Sequence, residues 1–333
     1  MRFSYRALIA VFAVLALGSA GCGDDGDTAV EGGGQPTVVV TTTILGDVVE
    51  NLADGQVDVV TIMPVGADPH DFQASAEQVA EIGEAEVLIV NGGDFEEGLL
   101  DVIESVEEDG VPVLEALSAV DTIEFGASEH DHDEEHSGEE HSDEEHSDQE
   151  YSGDEADHAH DHDQAPGQAS ADSHFWTDPT RMAVAVDAIA EFLVLNVDGV
   201  DADALSASAD AYAAELGDLD TEVVDTLVPI DEDDRVLVTN HDSFGYFADR
   251  YEFEIVGTVV PSGSTTDGTS AQELAELTGV IEQQGVPAIF AETTTSDELA
   301  RTRAAEVSDD IAVVELYTGS LGEPGSDGDT YVA

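Results

Sequence analysis

The chain contains no lysine, and its seven arginines stand against 77 aspartates and glutamates, for a formal net charge of −70 over 333 residues. Such a field opposes binding to nucleic acid or to an anionic lipid surface, and it attracts cations. Cysteine is nearly absent too: the single Cys22 excludes an intrachain disulfide. Nor is there a long hydrophobic run, since the apolar stretch 7–17 is too short to span a bilayer comfortably. What is present is 41% hydrophobic residues, enough for real cores in two domains of ordinary size.

The acids are spread along the whole chain. Residues 129–163 hold 17 of the 77, which leaves 60 elsewhere. An acidic surface of this extent points to a salt-loving source, where high ionic strength screens self-repulsion.

The N-terminus has the form of an export signal, residues 1–21. Arg2 and Arg6 precede the apolar run, and small residues Gly18-Ser19-Ala20-Gly21 lead into Cys22. The segment Leu17-Gly18-Ser19-Ala20-Gly21-Cys22 resembles a lipobox, which makes Cys22 a lipidation site and places the mature protein outside the cytoplasm, anchored to the membrane by lipid. The polar, glycine-rich stretch 22–36 reads as a flexible tether.

From Thr37 onward, strand and helix patterns alternate. Strands are expected over 37–42, 57–63, 86–90 and 112–114, with helices over 44–52, 74–82 and 94–106 between them. Helices over 178–195 and 201–227 follow, and then a second series: strands 235–239, 254–260, 288–291 and 312–316, helices 243–251, 271–284 and 296–308. This order predicts an α/β protein of two Rossmann-like lobes with parallel sheets. The N-terminal lobe covers 37–199, a long linking helix 200–229, and the C-terminal lobe 230–333. Within the first lobe, 127–172 has almost no apolar residues and repeats a His-Ser-acid-acid phrase, so it reads as a disordered loop.

The eleven histidines fall into two groups. Eight crowd into the acidic loop: His130, His132, His136, His141, His146, His158, His160 and His162. The remaining three, His70, His174 and His241, are the only histidines in the parts expected to be ordered. Imidazole is the commonest protein ligand for zinc, so the three suggest one shaped metal site and the eight a loose accessory one. His70 and His241 each follow a strand and are expected at corresponding strand ends of the two lobes. His174 closes the loop and precedes a helix, so the eight clustered histidines are tethered beside it.

Three phrases carry a resemblance: Ala67-Asp68-Pro69-His70, His174-Phe175-Trp176-Thr177-Asp178-Pro179 and His241-Asp242-Ser243-Phe244-Gly245-Tyr246-Phe247. They resemble the metal-ligand motifs of the ZnuA-type zinc- and manganese-binding proteins of ABC importers, and the ending Tyr317-Thr318-Gly319-Ser320-Leu321-Gly322 is similar as well. The resemblance covers about 37–332 and the motifs together are specific. It implies two α/β lobes joined by a rigid helix, a metal ion held in the cleft by His70, His174 and His241, and delivery to a membrane permease by a monomeric binding protein. Manganese members of the family place Glu where His241 stands. Three imidazoles therefore favour Zn2+ over Mn2+, although affinity alone would not exclude copper or nickel.

One departure stands out. Many members supply a fourth ligand from an aspartate in a Thr-Asp-Ser phrase, where this chain has Gly319. Water, or a carboxylate from Glu292, Asp327 or Asp329, is expected instead, with Glu292 preferred either as fourth ligand or as acceptor for a ligand N–H. Relatives also continue beyond the position of Ala333 into a closing helix, so a truncated C-terminal lobe is an expectation. Two rival readings remain. Three histidines and an open position also describe a catalytic zinc, but no His-Glu-x-x-His helix is present. A surface metal buffer or adhesin without a transport partner is the other.

Overall fold

Two four-stranded sheets, each wholly parallel, share one strand order. The computed structural model describes residues 35–125, 171–308 and 310–332. In the first sheet the strands are β1 (Thr37–Val40), β2 (Asp58–Thr61), β3 (Val87–Val90) and β4 (Val113–Glu115), ordered β2-β1-β3-β4. In the second they are β5 (Val236–Thr239), β6 (Glu254–Thr258), β7 (Ala288–Glu292) and β8 (Ala312–Leu316), ordered β6-β5-β7-β8. Both therefore reverse direction of winding between their two central strands, where the carboxyl ends of an open α/β sheet leave a crevice for a ligand.

Alternation along the strands builds the first lobe in three layers. Val38, Val40, Val87 and Ile89 face one core, while Val39, Leu88 and Val90 face another. The first core is closed by α1 (Thr43–Ala53), α4 (Pro179–Asn196) and α5 (Ala202–Leu227), and the second by α2 (Ala76–Gly83) and α3 (Leu100–Glu108). A separate cluster around Val238, Leu277, Ile281 and Ile289 packs the second sheet against α7 (Ala271–Gln284) and α8 (Glu298–Val307). The remaining helix, α6 (Gly245–Tyr251), follows β5.

Local signals set the helix ends. Thr42 caps α1 through its hydroxyl, which accepts Leu45 N–H, so β1 stops at Val40 instead of running on to Thr42. Asp178 caps α4 with Pro179 in its first turn, and Asp201 caps α5 by accepting from Asp203 and Ala204. Ser75 with Gln78 and Ser270 with Glu273 form reciprocal capping boxes on α2 and α7. The expected helix over 94–106 is shorter at its start. Asp94 has φ 58°, and only a 3-10 turn at Glu97–Leu99 leads into α3.

Helix α5 is 26 residues long, and its first part belongs to the first lobe: Leu205, Ala209, Tyr212 and Leu216 are buried in that core. Its later turns expose acidic residues before the chain enters β5. Among the described residues no helix is long and apolar enough to cross a membrane. Cys22, the export signal and tether, and the loop histidines His130, His132, His136, His141, His146, His158, His160 and His162 lie outside the described residues.

Candidate metal centre

The three isolated histidines meet in the cleft. His70, His174 and His241 are buried, at 5%, 1% and 2% exposure, and one ligand atom from each lies within 4.8 Å of the other two. The elements that deliver them differ. His70 sits in the loop from β2 to α2, His174 starts the 3-10 turn Phe175–Thr177 ahead of α4, and His241 follows β5 by two residues. The expectation of corresponding strand ends for His70 and His241 is corrected here. The counterpart of β5 in the first sheet is β1, whereas His70 follows β2, an edge strand. Its loop is long enough to carry it back over the central strands.

Each ring presents one nitrogen to a carboxylate. His174 Nδ1 lies 2.8 Å from Asp172 Oδ1, His70 Nδ1 lies 3.2 Å from Glu97 Oε1, and His241 Nδ1 is paired with Glu292 Oε1. The opposite nitrogens turn inward: His174 Nε2 and His241 Nε2 are 3.2 Å apart, and His70 Nε2 is buried with no hydrogen-bond partner. A buried polar atom without a partner is unfavourable unless something else satisfies it. Tetrahedral zinc with Zn–N near 2.05 Å places its nitrogen ligands roughly 3.3 Å apart, close to the spacing observed. The enclosed cavity, about 10 Å³, is lined by Asp68, Pro69, Phe95, Ser243, Thr318 and Gly319 besides the histidines and Glu292. That volume suits one water-sized occupant.

The electrostatics favour a neutral ring at His70. Burial, reinforced by the neighbouring His174 and His241, pushes His70 down to about 2. Burial alone would raise Glu292, but the adjacent His241 outweighs it and holds the carboxyl below its usual range. Asp68 is raised by burial, against the hydrogen bonds it accepts from Thr265 and from His70 N–H. Phe95 and Trp176 form an aromatic wall: Phe95 lies 4.7 Å from the His70 ring and 5.5 Å from the His174 ring, centroid to centroid, and Trp176 lies 5.2 Å from His174.

Glu292, the preferred carboxylate, ends β7 and is buried, but its oxygens fall outside the group of ligand atoms and contact the far side of the His241 ring. Asp327 and Asp329 do not line the cavity, and Asp329 instead accepts Gly325 N–H at 2.7 Å. Gly319 does line it. Asp172 and Glu97 were not assigned a role from sequence. Asp172 stands only two positions before His174 and could have been suspected, whereas Glu97 is 27 residues from His70 and only the fold joins them.

The lobes hold one another across this centre. Trp176 Nε1 donates to Thr318 O at 2.8 Å, Tyr246 OH donates to Asp172 O at 2.7 Å, and Gly66 N–H donates to Ser320 Oγ at 2.9 Å. At Gly245 a Cβ would lie 2.4 Å from Asp172 Oδ2, so a side chain there would displace the carboxylate that partners His174.

Two parallel α/β lobes closed on a buried set of imidazoles define a two-lobed metal-binding solute-binding protein of the ABC-importer class. The sequence pattern of the family "Zinc-uptake complex component A periplasmic", ZnuA, matches residues 38–333, and the chain belongs to that family. It is 28% identical over 322 residues to the manganese-binding lipoprotein MntA of Halalkalibacterium halodurans, covering 97% of this chain and 92% of the relative. It is also 28% identical to the zinc-binding protein TroA of Treponema pallidum over 303 residues, covering 90% and 85%. The solved structure of the periplasmic zinc-binding protein TroA from Treponema pallidum superimposes with a TM-score of 0.72 at 26% identity, covering 90% of this chain and 94% of that one.

Proposed function

We propose that this protein captures Zn2+ outside the cytoplasm and delivers it to an ABC importer permease in the membrane. The observation that carries this reading is the set of three buried imidazoles, His70, His174 and His241, each with Nδ1 on a carboxylate and Nε2 turned inward towards the others. A carboxylate on the remote nitrogen fixes the tautomer and makes the ring a better metal donor. Three borderline imidazole donors, joined by no carboxylate among the described residues, favour zinc over manganese. Glu292, Asp172 and Glu97 act as the outer partners of the three ligands. With Gly319 in place of a side-chain ligand, water completes the coordination.

The rest of the reading follows the sequence. Cys22 carries the lipid anchor, the eight histidines of the acidic loop raise the local zinc concentration beside His174, and the protein works as a monomer. The acidic surface suits a salt-rich medium. Capture, not catalysis, fits ligands drawn from two lobes, since a clamp of this kind opens to release its cargo. The names of relatives include zinc-, manganese- and iron-binding proteins, so the metal is the point to test.

Calorimetric titration of the full chain with Zn2+ and Mn2+ side by side checks it. We expect one tight zinc site, lost in His174→Ala, above weaker sites that disappear when residues 127–171 are deleted. Tighter binding of manganese than zinc, or a tight site lost with the loop and kept in His174→Ala, refutes the reading. Hydrolysis of generic esters or peptides abolished by His174→Ala would replace it with the catalytic one.

A further inference from the structure

The segment joining β6 to α7 belongs to the second lobe, yet two of its side chains end on the first lobe, on the two carboxylates that hold His70. Thr265 Oγ1 donates to Asp68 Oδ2 at 2.6 Å, and Thr266 Oγ1 donates to Glu97 Oε2 at 3.2 Å. The other oxygen of each carboxylate is on His70 itself. Asp68 Oδ1 accepts the His70 backbone N–H at 3.1 Å, and Glu97 Oε1 faces His70 Nδ1 at 3.2 Å. Each carboxylate therefore has one oxygen on the histidine and one on the opposite lobe.

The loop is also stiffened and tied to another ligand. Thr266 N–H and Ser264 N–H donate to Ser264 Oγ and Ser262 Oγ at 3.1 Å each, Ser264 Oγ lies 2.8 Å from Thr266 Oγ1, and Ser262 Oγ bonds Asp267. At its start, Ser262 O accepts Asp242 N–H at 2.9 Å, and Asp242 directly follows His241. A short hydrogen-bonded path thus runs from the backbone beside His241, along the loop, to both carboxylates around His70.

We propose that Thr265 and Thr266 are positioning residues of the metal site: a hydroxyl latch that keeps His70 in its binding orientation only while the lobes are closed, and so sets the rate at which the ion leaves. The proposal rests on the metal-binding reading above and adds to it the place where release is controlled. Opening the lobes breaks both threonine bonds, and each carboxylate loses the contact that fixes it against His70. Neither hydroxyl touches the ion. Both threonines stand at the rim of the cleft, Thr265 half-buried and Thr266 exposed, so removing the hydroxyls leaves the cores intact.

The test compares Thr265→Val/Thr266→Val with Thr265→Ser/Thr266→Ser in the full chain. The readouts are zinc release to excess chelator by stopped flow, zinc association rate, and melting temperature without metal. Hydrogen bonds to charged groups of this kind together suggest release about tenfold faster in the double valine variant, with association changed by less than about twofold and the melting temperature unchanged. The double serine variant should release zinc at the wild-type rate, because it keeps the hydroxyls. Wild-type release from the valine variant overturns the latch, and so does equal acceleration in the serine variant, which would trace the effect to the lost methyl groups. Failure of the wild-type chain to take up zinc is a different result: it removes the metal-binding reading, and the latch with it.

Discussion

His174 Nε2 and His241 Nε2 lie 3.2 Å apart although 67 positions separate the residues in the chain. Two imidazole nitrogens this close, both buried, are stable as neighbours only with one proton or a cation between them. What keeps both aimed inward is the carboxylate behind each ring, Asp172 for His174 and Glu292 for His241.

The first prediction concerns those carboxylates. Glu292→Gln and Asp172→Asn keep the shape of the site but remove the charge that anchors each Nδ1–H. Zinc affinity should fall by about 10- to 100-fold in each, measured by competition with a chromophoric chelator. Glu108→Gln, on the exposed end of α3, serves as the control and should change nothing. Unchanged affinity in Glu292→Gln would show that the carboxylate does not support the ligand.

How much of this was legible beforehand follows from which forces are local. The strand and helix order could be read because the valine-rich runs of β1, β3 and β5 and the apolar periodicity of the helices between them act over a few residues. Glu292 was visible as a carboxylate at a strand end. Hidden were the features made by tertiary contact. Glu96, which sits where a helix was expected, folds back to accept Thr41 Oγ1 and Asn91 N–H at 2.6 Å each, and that delays α3. Burial raises its carboxyl even with those donors present. Glu97 reaches His70 for the same reason: the turn that carries it is set by Glu96, and no spacing rule connects it to a histidine 27 residues earlier.

A second prediction uses the missing ligand. Gly319 lines the cavity, and a Cβ there would lie 3.2 Å from Pro69 Cδ and 3.6 Å from Thr294 Oγ1, a fit that needs shifts of only tenths of an ångström. Gly319→Asp brings a hard oxygen donor to a site of three borderline nitrogens, and manganese prefers oxygen more strongly than zinc does. Manganese affinity should rise by about tenfold or more relative to zinc in paired titrations. A constant ratio would mean that position 319 does not set the choice of metal.

Surface charge supplies the third. Asp210, Glu215, Asp218, Glu222 and Asp225 expose one acidic face of α5, and each of the five arginines among the described residues already sits in an ion pair. Little positive charge is left to offset the rest. Screening length falls from about 30 Å at 0.01 M salt to about 3 Å at 1 M, so the melting temperature should climb steadily with KCl over that range. A flat profile would detach the acidic composition from any demand for salt.

The last prediction is the response of the metal-free protein to acid. In the folded chain His70 is pushed down to about 2 by burial and by its two neighbouring histidines, while in the unfolded chain a histidine titrates near 6.5. Between those values the unfolded state takes up a proton that the folded state refuses. His70 therefore contributes no penalty above about pH 6.5 and an increasing one as the pH falls below it. Asp68 and Glu96 act in the opposite sense, because carboxyls raised by burial disfavour the folded state at neutral pH and are relieved by acid. The wild-type melting curve alone mixes these effects, and the difference between it and His70→Gln separates them. Between pH 7 and pH 5 the wild-type protein should lose more melting temperature than the glutamine variant, since glutamine takes up no proton in either state. Parallel losses in the two proteins would mean that His70 titrates alike folded and unfolded, and that the cavity admits a proton as readily as water does.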